Sequence, residues 1–309
     1  MVTSRSLRRD EDRRDLIPRQ RTLIRSLVAT ARPRQWIKNV LVFAAPATAG
    51  VLLEPTALAR AMIAFVAFSM ASSAMYFLND VNDRVRDAAH PTKRLRPMAA
   101  GDLSRRNAWL AAVVLMVTAV VIAAAGAGVP LAAAVVAYLV LVTAYTYWLK
   151  DIVLVDVVAV AGTFVLRAAA GGLAAGVYLS SWFLLVACFG ALFIVTGRRF
   201  AEYRALEDSR GHHRRTLDDY SEPMLRFMLT SSSTVTITAY CLWAFEGQGS
   251  RNVLAALSII PFVLGIYRYA MLGEAGAGGS PEDVFLRDRF LQITCVLWLS
   301  IVVAGVYLG

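Results

Sequence analysis

Long apolar runs recur along almost the whole chain after residue 35, and they limit the possible folds more than any other feature. Each run is about 20 residues long, the length that an α-helix needs to cross the hydrocarbon core of a bilayer. The composition agrees, since 58% of the residues are hydrophobic and the mean hydropathy is +0.56. Backbone polar groups in lipid must be paired within their own segment, so the sequence predicts an all-α, polytopic membrane protein.

The runs predict about nine transmembrane helices. Their approximate positions are 36–53, 57–78, 107–126, 130–149, 152–172, 181–197, 223–245, 252–271 and 289–308. The runs are rich in Ala, Gly, Ser and Val, and small side chains allow transmembrane helices to approach closely. We therefore expect a compact helical bundle over residues 32–309. Such faces also permit a homo-oligomer, with a trimer as a working guess.

The first 31 residues are polar and rich in arginine, without the apolar core of a secretory signal. They predict a disordered or surface-lying arm. Basic residues mark cytoplasmic loops, and here they gather in the arm and in residues 79–106 and 198–222. We therefore place both large polar loops on the cytoplasmic side of the plasma membrane. The net charge of +10 suits an anionic lipid surface, so no nucleic-acid partner is expected.

An acidic stretch follows the second predicted span directly after Leu78. At about 100° per residue, Asp80, Asp83 and Asp87 fall within roughly 60° of one helix face, and Asn79 widens this by roughly 40°. Carboxylates on one face repel one another unless a cation lies among them. Hard oxygen ligands suit Mg²⁺, which also takes substrate phosphates as ligands. The four side chains are therefore candidate Mg²⁺ ligands, and the alternative is a solvated helix end.

Basic residues at the start of the first predicted span form a candidate phosphate clamp. Arg34 and Lys38 are four residues apart and would share one face of an α-helix, while Asn39 adds a neutral donor. The alternative is an ordinary membrane anchor with Trp36 at the interface. Three basic residues after the acidic stretch are further candidates for binding phosphate: Lys93, Arg94 and Arg96.

Polar residues also gather where the fourth predicted span meets the fifth. Asp156 lies inside an apolar helix, where an isolated carboxylate should meet a metal, a substrate hydroxyl or Lys150. Arg167, deeper in this helix, is more often bonded to carbonyls than to a ligand. Arg199 and Glu202 are three residues apart and predict an ion pair. The substrate-binding candidates of this region are Tyr145 and Arg199.

The acidic and basic stretch resembles the first aspartate-rich signature of the UbiA superfamily of intramembrane prenyltransferases. It reads Asn79-Asp80-x-x-Asp83-x-x-x-Asp87, followed by Lys93-Arg94-x-Arg96-Pro97 and Gly101. The resemblance extends over about residues 30 to 309 and implies a helical bundle with acidic motifs at two helix junctions. At the second junction Asp151 and Asp156 are five residues apart, whereas the family pattern is DxxxD.

Five segments resemble the actinobacterial branch of this superfamily that uses phosphoribose. They are RPRQWIKN (32–39), HPTKRLRP (90–97), LRAAAGG (166–172), GRRFAE (197–202) and LWAFE (242–246). The resemblance implies transfer of 5-phosphoribose from phosphoribosyl pyrophosphate (PRPP) to decaprenyl phosphate or another polyprenyl phosphate. The product would enter the decaprenylphosphoryl-arabinose pathway for cell-wall arabinan.

This resemblance also implies roles for the candidate residues. The acidic face would hold Mg²⁺ on the diphosphate, and the cations after it would bind the diphosphate or the 5-phosphate. Arg34 and Lys38 would hold the lipid phosphate. Asp156 and Lys150 would orient ribose hydroxyls, or Asp156 would stabilise positive charge at C1. The alternatives are an aromatic prenyltransferase that uses a polyprenyl diphosphate, and a lipid transporter.

Overall fold

The computed structural model describes residues 22–207, 219–247, 253–275 and 281–308, and the regular elements in these ranges are helical. In chain order the α-helices are α1 (Leu23–Ala31), α2 (Ala44–Thr48), α3 (Pro55–Ala88), α4 (Pro97–Ala100), α5 (Arg105–Ala127), α6 (Val129–Tyr147), α7 (Val155–Ala175), α8 (Ser181–Glu207), α9 (Glu222–Leu242), α10 (Val253–Leu257), α11 (Ile259–Glu274), α12 (Pro281–Arg287) and α13 (Arg289–Leu308). Three 3₁₀ segments and one π turn complete them: Pro33–Phe43, Lys93–Leu95, Leu149–Asp151 and Trp243–Gly247.

Within the described ranges, seven helical stretches are long and apolar enough to cross a membrane. They are α3, α5, α6, α7, α8 up to Arg204, the α10–α11 pair and α13. The prediction of an all-α, polytopic membrane protein is confirmed. The count of nine is not confirmed, and the first and seventh predicted spans account for the difference.

The first predicted span, 36–53, is a 3₁₀ segment followed by the short helix α2. Packing against α7 explains this conformation. Gly171 of α7 lies so close to the segment that an added Cβ would be 1.6 Å from the carbonyl oxygen of Val42. The backbone of the segment is therefore pressed against α7 at a depth that only a glycine permits.

The seventh predicted span is α9, which has 21 residues but is not among the seven stretches apolar enough to cross a membrane. An unbroken run of hydroxyl side chains, Thr230 to Thr234, occupies its middle. These hydroxyls form hydrogen bonds within the helix. Ser232 donates to the carbonyl of Met228 at 2.6 Å, and Thr234 donates to the carbonyl of Thr230 at 2.8 Å. The helix therefore forms as predicted, while its composition does not by itself mark a membrane span.

The sequence predicts a disordered or surface-lying arm over residues 1–31, and in the last part of that range Leu23–Ala31 forms the helix α1. Residues 1–21 lie outside the described residues. Ser26 and Thr30 of α1 are buried. Leu27 and Ala31 of the same helix pack against the hydrophobic cluster that includes Met75 of α3. This contact with the bundle orders a segment that composition alone predicts to be flexible.

The long helix α3 runs through the centre of the bundle. Its packing surface consists of small side chains, and Ala61, Ala64, Ala67, Ala71 and Ala74 are fully buried. Small residues on this helix let α5 approach closely, and alanines of α5 are buried in the same clusters. The last turns of α3 carry the acidic stretch, so the rigid core of the bundle positions those side chains.

Candidate active site

Two carboxylates at the end of α3 converge on arginines from neighbouring segments. Asp80 is buried and forms an ion pair with Arg32, which precedes the 3₁₀ segment. Arg96, just before α4, donates from Nη1 to Asp87 at 2.6 Å and lies 3.4 Å from Asp80. These four residues form what we call the Asp80–Asp87 cluster, in which two negative and two positive charges balance.

The other two predicted metal ligands point elsewhere. Asn79 accepts a hydrogen bond from the hydroxyl of Thr146 at 3.0 Å. The side chain of Asp83 is 39% exposed and pairs with Arg86, one turn further along α3. In the part of the chain that the structure describes, no three His, Cys, Asp or Glu side chains converge closely enough to hold a metal. The predicted set of four ligands is therefore not assembled.

Asp80 and Asp87 nevertheless have the chemistry that Mg²⁺ requires. This ion commonly binds one or two carboxylates and completes its octahedral shell with waters and substrate phosphates. Both carboxylates reach the same guanidinium of Arg96, so one cation already contacts both. The pair fits Mg²⁺ in ligand type and number.

Arg32 was not among the residues singled out from the sequence. Its backbone is left-handed, with φ of 51°, and its guanidinium lies 4.8 Å from the ring centroid of Tyr76. Two hydrogen bonds fix the surrounding backbone on α3: Trp36 Nε1 donates to Ser73 Oγ, and Ser73 Oγ donates to the carbonyl of Ala31, each at 3.0 Å. The sequence places Arg32 at the start of the RPRQWIKN segment, but its pattern assigns this arginine no role.

The predicted phosphate clamp is not formed as a single helical face. The segment Pro33–Phe43 is a 3₁₀ helix with about three residues per turn, so residues four apart point in different directions. The Arg34 side chain is 77% exposed and lies 3.8 Å from Asp283. Lys38 donates from Nζ to Gln35 Oε1 at 2.7 Å. Both cations lie on the same segment, but they do not share a face.

Asn39 is fully buried, so the structure places it away from a surface where it could bind a phosphate. Its amide nitrogen donates to Ser69 Oγ at 3.0 Å, and its amide oxygen accepts from Arg167 Nε at 2.7 Å. Arg167 also donates to the carbonyl of Thr163 at 2.7 Å and to the hydroxyl of Tyr138 at 2.9 Å. The prediction of a structural Arg167 is confirmed, and its network fastens the 3₁₀ segment to α3, α6 and α7.

Asp156 lies with 0% exposure at the start of α7, and two residues from other elements hold it. Arg199 of α8 donates from Nε at 3.0 Å, and Tyr220 donates from its hydroxyl at 2.7 Å. Arg199 is also bonded to Glu202 at 2.7 Å, which confirms the predicted ion pair. Of the alternatives predicted for Asp156, the ion pair with Lys150 is not found within the described residues, where Arg199 and Tyr220 are the partners instead.

Tyr220 is a second residue that the sequence did not reveal. Its hydroxyl accepts from the backbone N–H of Leu154 at 2.8 Å, and Leu154 has φ of 68°, a strained value for leucine. Burial, together with the hydrogen bond to Asp156, raises the pKa of Tyr220 to about 12. The hydroxyl therefore remains protonated at neutral pH and ties the α6–α7 turn to the segment before α9.

Lys150 and Tyr145 lie close to this turn. Lys150 lies in the 3₁₀ turn Leu149–Asp151, partly exposed. Tyr145 is partly buried near the end of α6. Lys93 and Arg94 are exposed in the turn directly before Arg96. Their positions at the same end of the bundle keep all four as candidates for substrate binding.

An apolar chamber of about 450 Å³ lies among the later helices. It is bounded by α2, α7, α8, α9, α11, α12 and α13. Representative lining residues are Leu41, Phe164, Ala187, Phe262, Phe285 and Trp298. Leu41 belongs to the same 3₁₀ segment that begins next to Arg32. One continuous segment thus runs from the Asp80–Asp87 cluster to the apolar chamber, over about 20 Å at the rise of a 3₁₀ helix.

Membrane helices that place paired acids and arginines beside an apolar chamber are suited to a transferase that joins a charged group to a lipid. The chain matches the UbiA prenyltransferase family over residues 40–294 and belongs to that family. It is 44% identical over 292 residues to the decaprenyl-phosphate phosphoribosyltransferase of Mycobacterium tuberculosis, an alignment that covers 93% of this chain and 96% of that protein.

Two further comparisons agree with this assignment. The decaprenyl-phosphate phosphoribosyltransferase of Corynebacterium glutamicum is 39% identical over 294 residues, covering 93% of this chain and 89% of that protein. Among solved structures, a UbiA homolog from Archaeoglobus fulgidus bound to DMAPP and Mg²⁺ superposes with a TM-score of 0.68. At 17% identity, with 92% of this chain and 100% of that chain covered, this likeness establishes the shared fold.

Proposed function

We propose that the chain transfers 5-phosphoribose from PRPP to decaprenyl phosphate, or a similar polyprenyl phosphate, and releases pyrophosphate. The observation that carries this proposal is the segment Pro33–Phe43, which connects a charged cluster to an apolar chamber. A soluble, highly charged donor and a lipid acceptor need these two environments side by side. The names of the curated relatives support the same choice of substrates.

In the proposed reaction, an oxygen of the lipid phosphate bonds to C1 of the ribose as the bond from C1 to the diphosphate breaks. Asp80 and Asp87 would hold Mg²⁺, which would neutralise negative charge on the leaving diphosphate. Arg96 would turn from these carboxylates to phosphate oxygens, for which its planar fork is suited. The acceptor phosphate is already anionic, so the chain need not supply a strong base.

The candidate cations divide between the two substrates. Lys93 and Arg94 lie beside Arg96 and would bind the 5-phosphate of PRPP, while Arg34 and Lys38 on the 3₁₀ segment would hold the lipid phosphate. Lys150 and Tyr145 would orient ribose hydroxyls from the α6–α7 turn. Asp156 has both oxygens engaged by Arg199 and Tyr220, so we assign it to positioning this turn and not to contact with C1.

The cellular setting follows from the charges and the substrates. Basic residues concentrate at the end of the bundle that carries the cluster, which favours a cytoplasmic active site in the plasma membrane. PRPP would reach it from the cytosol, and the lipid would enter the chamber from the bilayer. A homo-oligomer, such as a trimer, remains a prediction.

The test is transfer by purified protein in detergent or nanodiscs, with labelled PRPP and decaprenyl phosphate and mass spectrometry of the lipid product. We expect a phosphoribosylated lipid that requires a divalent cation. A prenylated aromatic product from a polyprenyl diphosphate and an aromatic acceptor, without turnover of PRPP, would instead support the aromatic prenyltransferase. Movement of lipid between leaflets without a covalent product would support a transporter.

Two matched substitutions test the metal assignment in that assay. Asp80→Asn should lower the transfer rate by at least about a hundredfold, because the buried carboxylate loses the charge that balances the metal and the arginines. Asp83→Asn should have a smaller effect, because Asp83 is partly exposed and paired with Arg86. Equal losses of transfer rate in the two variants would support the three-acid metal site that the helical spacing predicts. An unchanged transfer rate in both variants would refute a metal site on α3.

A further inference from the structure

Arg32 occupies the place beside Asp80 where a cation would bind. The Asp80 side chain is 3% exposed, whereas that of Arg32 is 27% exposed, so the arginine that pairs with this buried carboxylate is itself only partly buried. Arg96 contacts the same Oδ1 atom of Asp80. A divalent ion that binds Oδ1 of Asp80 has to displace at least one of these two guanidinium groups.

The backbone of Arg32 is fixed, while its side chain is long enough to change partner. A left-handed conformation is unfavourable for a residue other than glycine and persists only where the surroundings hold it. Here Pro33 follows directly, and Ser73 and Trp36 fasten the flanking residues to α3. The conformation therefore aims the Arg32 side chain at the end of α3 from an anchored base.

The charges of the cluster make binding of a metal and of an anion interdependent. Two carboxylates and two guanidinium groups are neutral together, and Mg²⁺ alone would add two positive charges to a partly buried site. A bound diphosphate compensates that excess, and a guanidinium released from a carboxylate binds phosphate oxygens well because its fork matches them.

Building on the proposed function, we infer that Arg32 is a diphosphate-binding residue that exchanges partners. It pairs with Asp80 in the free protein, and it moves to the diphosphate of PRPP when Asp80 and Asp87 take up the divalent cation. Its presence makes the cation and the diphosphate bind together and disfavours the cation alone.

Calorimetric titration of the full-length protein with Mg²⁺ alone, and with inorganic pyrophosphate at saturating Mg²⁺, tests this exchange. In Arg32→Gln we expect Mg²⁺ alone to bind more tightly than in the unmodified protein, because a competing cation is gone. Pyrophosphate should bind at least about tenfold more weakly, because one charge-assisted contact is lost. Arg25→Gln, which removes an exposed arginine from α1, should change neither affinity.

Opposite shifts of the two affinities support the exchange. If both affinities fall together, Arg32 only maintains the shape of the site, and if neither changes, Arg32 is outside it. Should Arg32→Gln fail to fold, Arg32→Lys keeps the charge beside Asp80 without the fork. Weaker pyrophosphate binding with unchanged binding of Mg²⁺ is then expected, and unchanged pyrophosphate binding would overturn the inference.

The same preparations separate this inference from the proposed reaction. If the unmodified protein makes phosphoribosylated lipid, and the Arg32 variants bind pyrophosphate as it does, the exchange is wrong and the proposed function stands. If the opposite shifts appear but no lipid product forms from PRPP, the diphosphate site stands and the proposed reaction is wrong.

Discussion

At the residue scale, the polar side chains near the membrane differ in whether their partners are local or distant. Arg199 and Glu202 lie one helical turn apart, and the helical period alone predicts their contact. Asp156 and Tyr220 are 64 residues apart, and only the packing of α7 against the segment before α9 brings them together. A buried carboxylate must be paired, but no local pattern indicates which residue pairs with it.

Tyr220→Phe tests that distant contact. We expect the free energy of unfolding to fall by about 1–3 kcal/mol, because the buried Asp156 loses one donor and the N–H of Leu154 loses its acceptor. Thermal unfolding in detergent measures the change. Tyr178→Phe is the matched control, since Tyr178 is 87% exposed, and an equal loss there would contradict the assignment.

The pH dependence of Tyr220 has a definite sign. Its pKa in the folded protein is raised to about 12 from an ordinary value of 10.0, so the unfolded chain loses the phenol proton first as the pH rises. The stabilisation is complete below pH 10.0 and decreases as the pH approaches about 12. The difference in unfolding temperature between the unmodified protein and Tyr220→Phe should narrow over this window.

At the scale of elements, the 3₁₀ segment Pro33–Phe43 is the part of the fold that departs most from its predicted form. Its hydropathy predicts a membrane helix, but the bundle holds it in a different conformation through Gly171 and the Arg167 network. The segment then presents Arg32 to the charged cluster and Leu41 to the chamber. An ordinary α-helix would be shorter by about 0.5 Å per residue and would alter this alignment.

Gly171→Ala should disrupt this segment, since the added Cβ would lie 1.6 Å from the Val42 carbonyl oxygen. We expect a loss of at least about 2 kcal/mol in stability and a large fall in transfer rate. Gly162→Ala on the same helix meets only the end of the Leu141 side chain, at 3.1 Å, and should be tolerated. Similar behaviour of the two variants in unfolding and transfer assays would refute the close approach.

A second element-scale contact joins α11 to the start of α13. Asp288 accepts from the backbone N–H of Leu291 at 2.7 Å as a helix cap, and from Arg268 Nη2 at 2.6 Å. The hydrogen bond with Arg268 lowers the pKa of Asp288, so this stabilisation is present above pH 3.8, the ordinary value, and is lost as the pH falls through the folded value.

Asp288→Ala should lower stability by about 1 kcal/mol through loss of the cap, and Asp288→Asn by less, because asparagine also caps helices. Only the unmodified protein carries a charge at residue 288, so its advantage over Asp288→Asn should disappear in strongly acidic buffer, whereas Asp288→Ala should stay the least stable because it has no capping side chain. Thermal unfolding across an acid pH series measures both effects, and equal losses for Ala and Asn would contradict the capping role.

At the scale of the whole molecule, the charged cluster and the apolar chamber are joined by the segment that runs from Arg32 to Leu41. Small residues on α3 and α5 close the first half of the bundle tightly. The later helices α8, α9, α11 and α13 instead leave space between them. Apolar helices of one chain thus pack tightly in the first half of the bundle and leave a chamber in the second half, which we call the hollow half.

Ala187→Phe should test the role of this hollow half, because a phenyl ring on α8 would occupy part of the chamber. We expect KM for decaprenyl phosphate to rise by roughly tenfold, while KM for PRPP stays unchanged. Ala125→Phe on the exposed side of α5 is the control and should affect neither. A rise in both KM values, measured by product formation, would show a general distortion and not a lipid site.

Local physical constraints determined the class of this protein, its helical segments and its acidic helix end. Segments in lipid must pair their own backbone groups, and the helical period puts Asp80 and Asp87 on one face. Tertiary packing decided the rest: the 3₁₀ form of the first segment, the outward turn of Asp83, and the pairing of Asp80 with Arg32 across 48 residues. Hydropathy and periodicity are properties of neighbours along the chain, whereas the partner of a buried charge is chosen by which helices pack together.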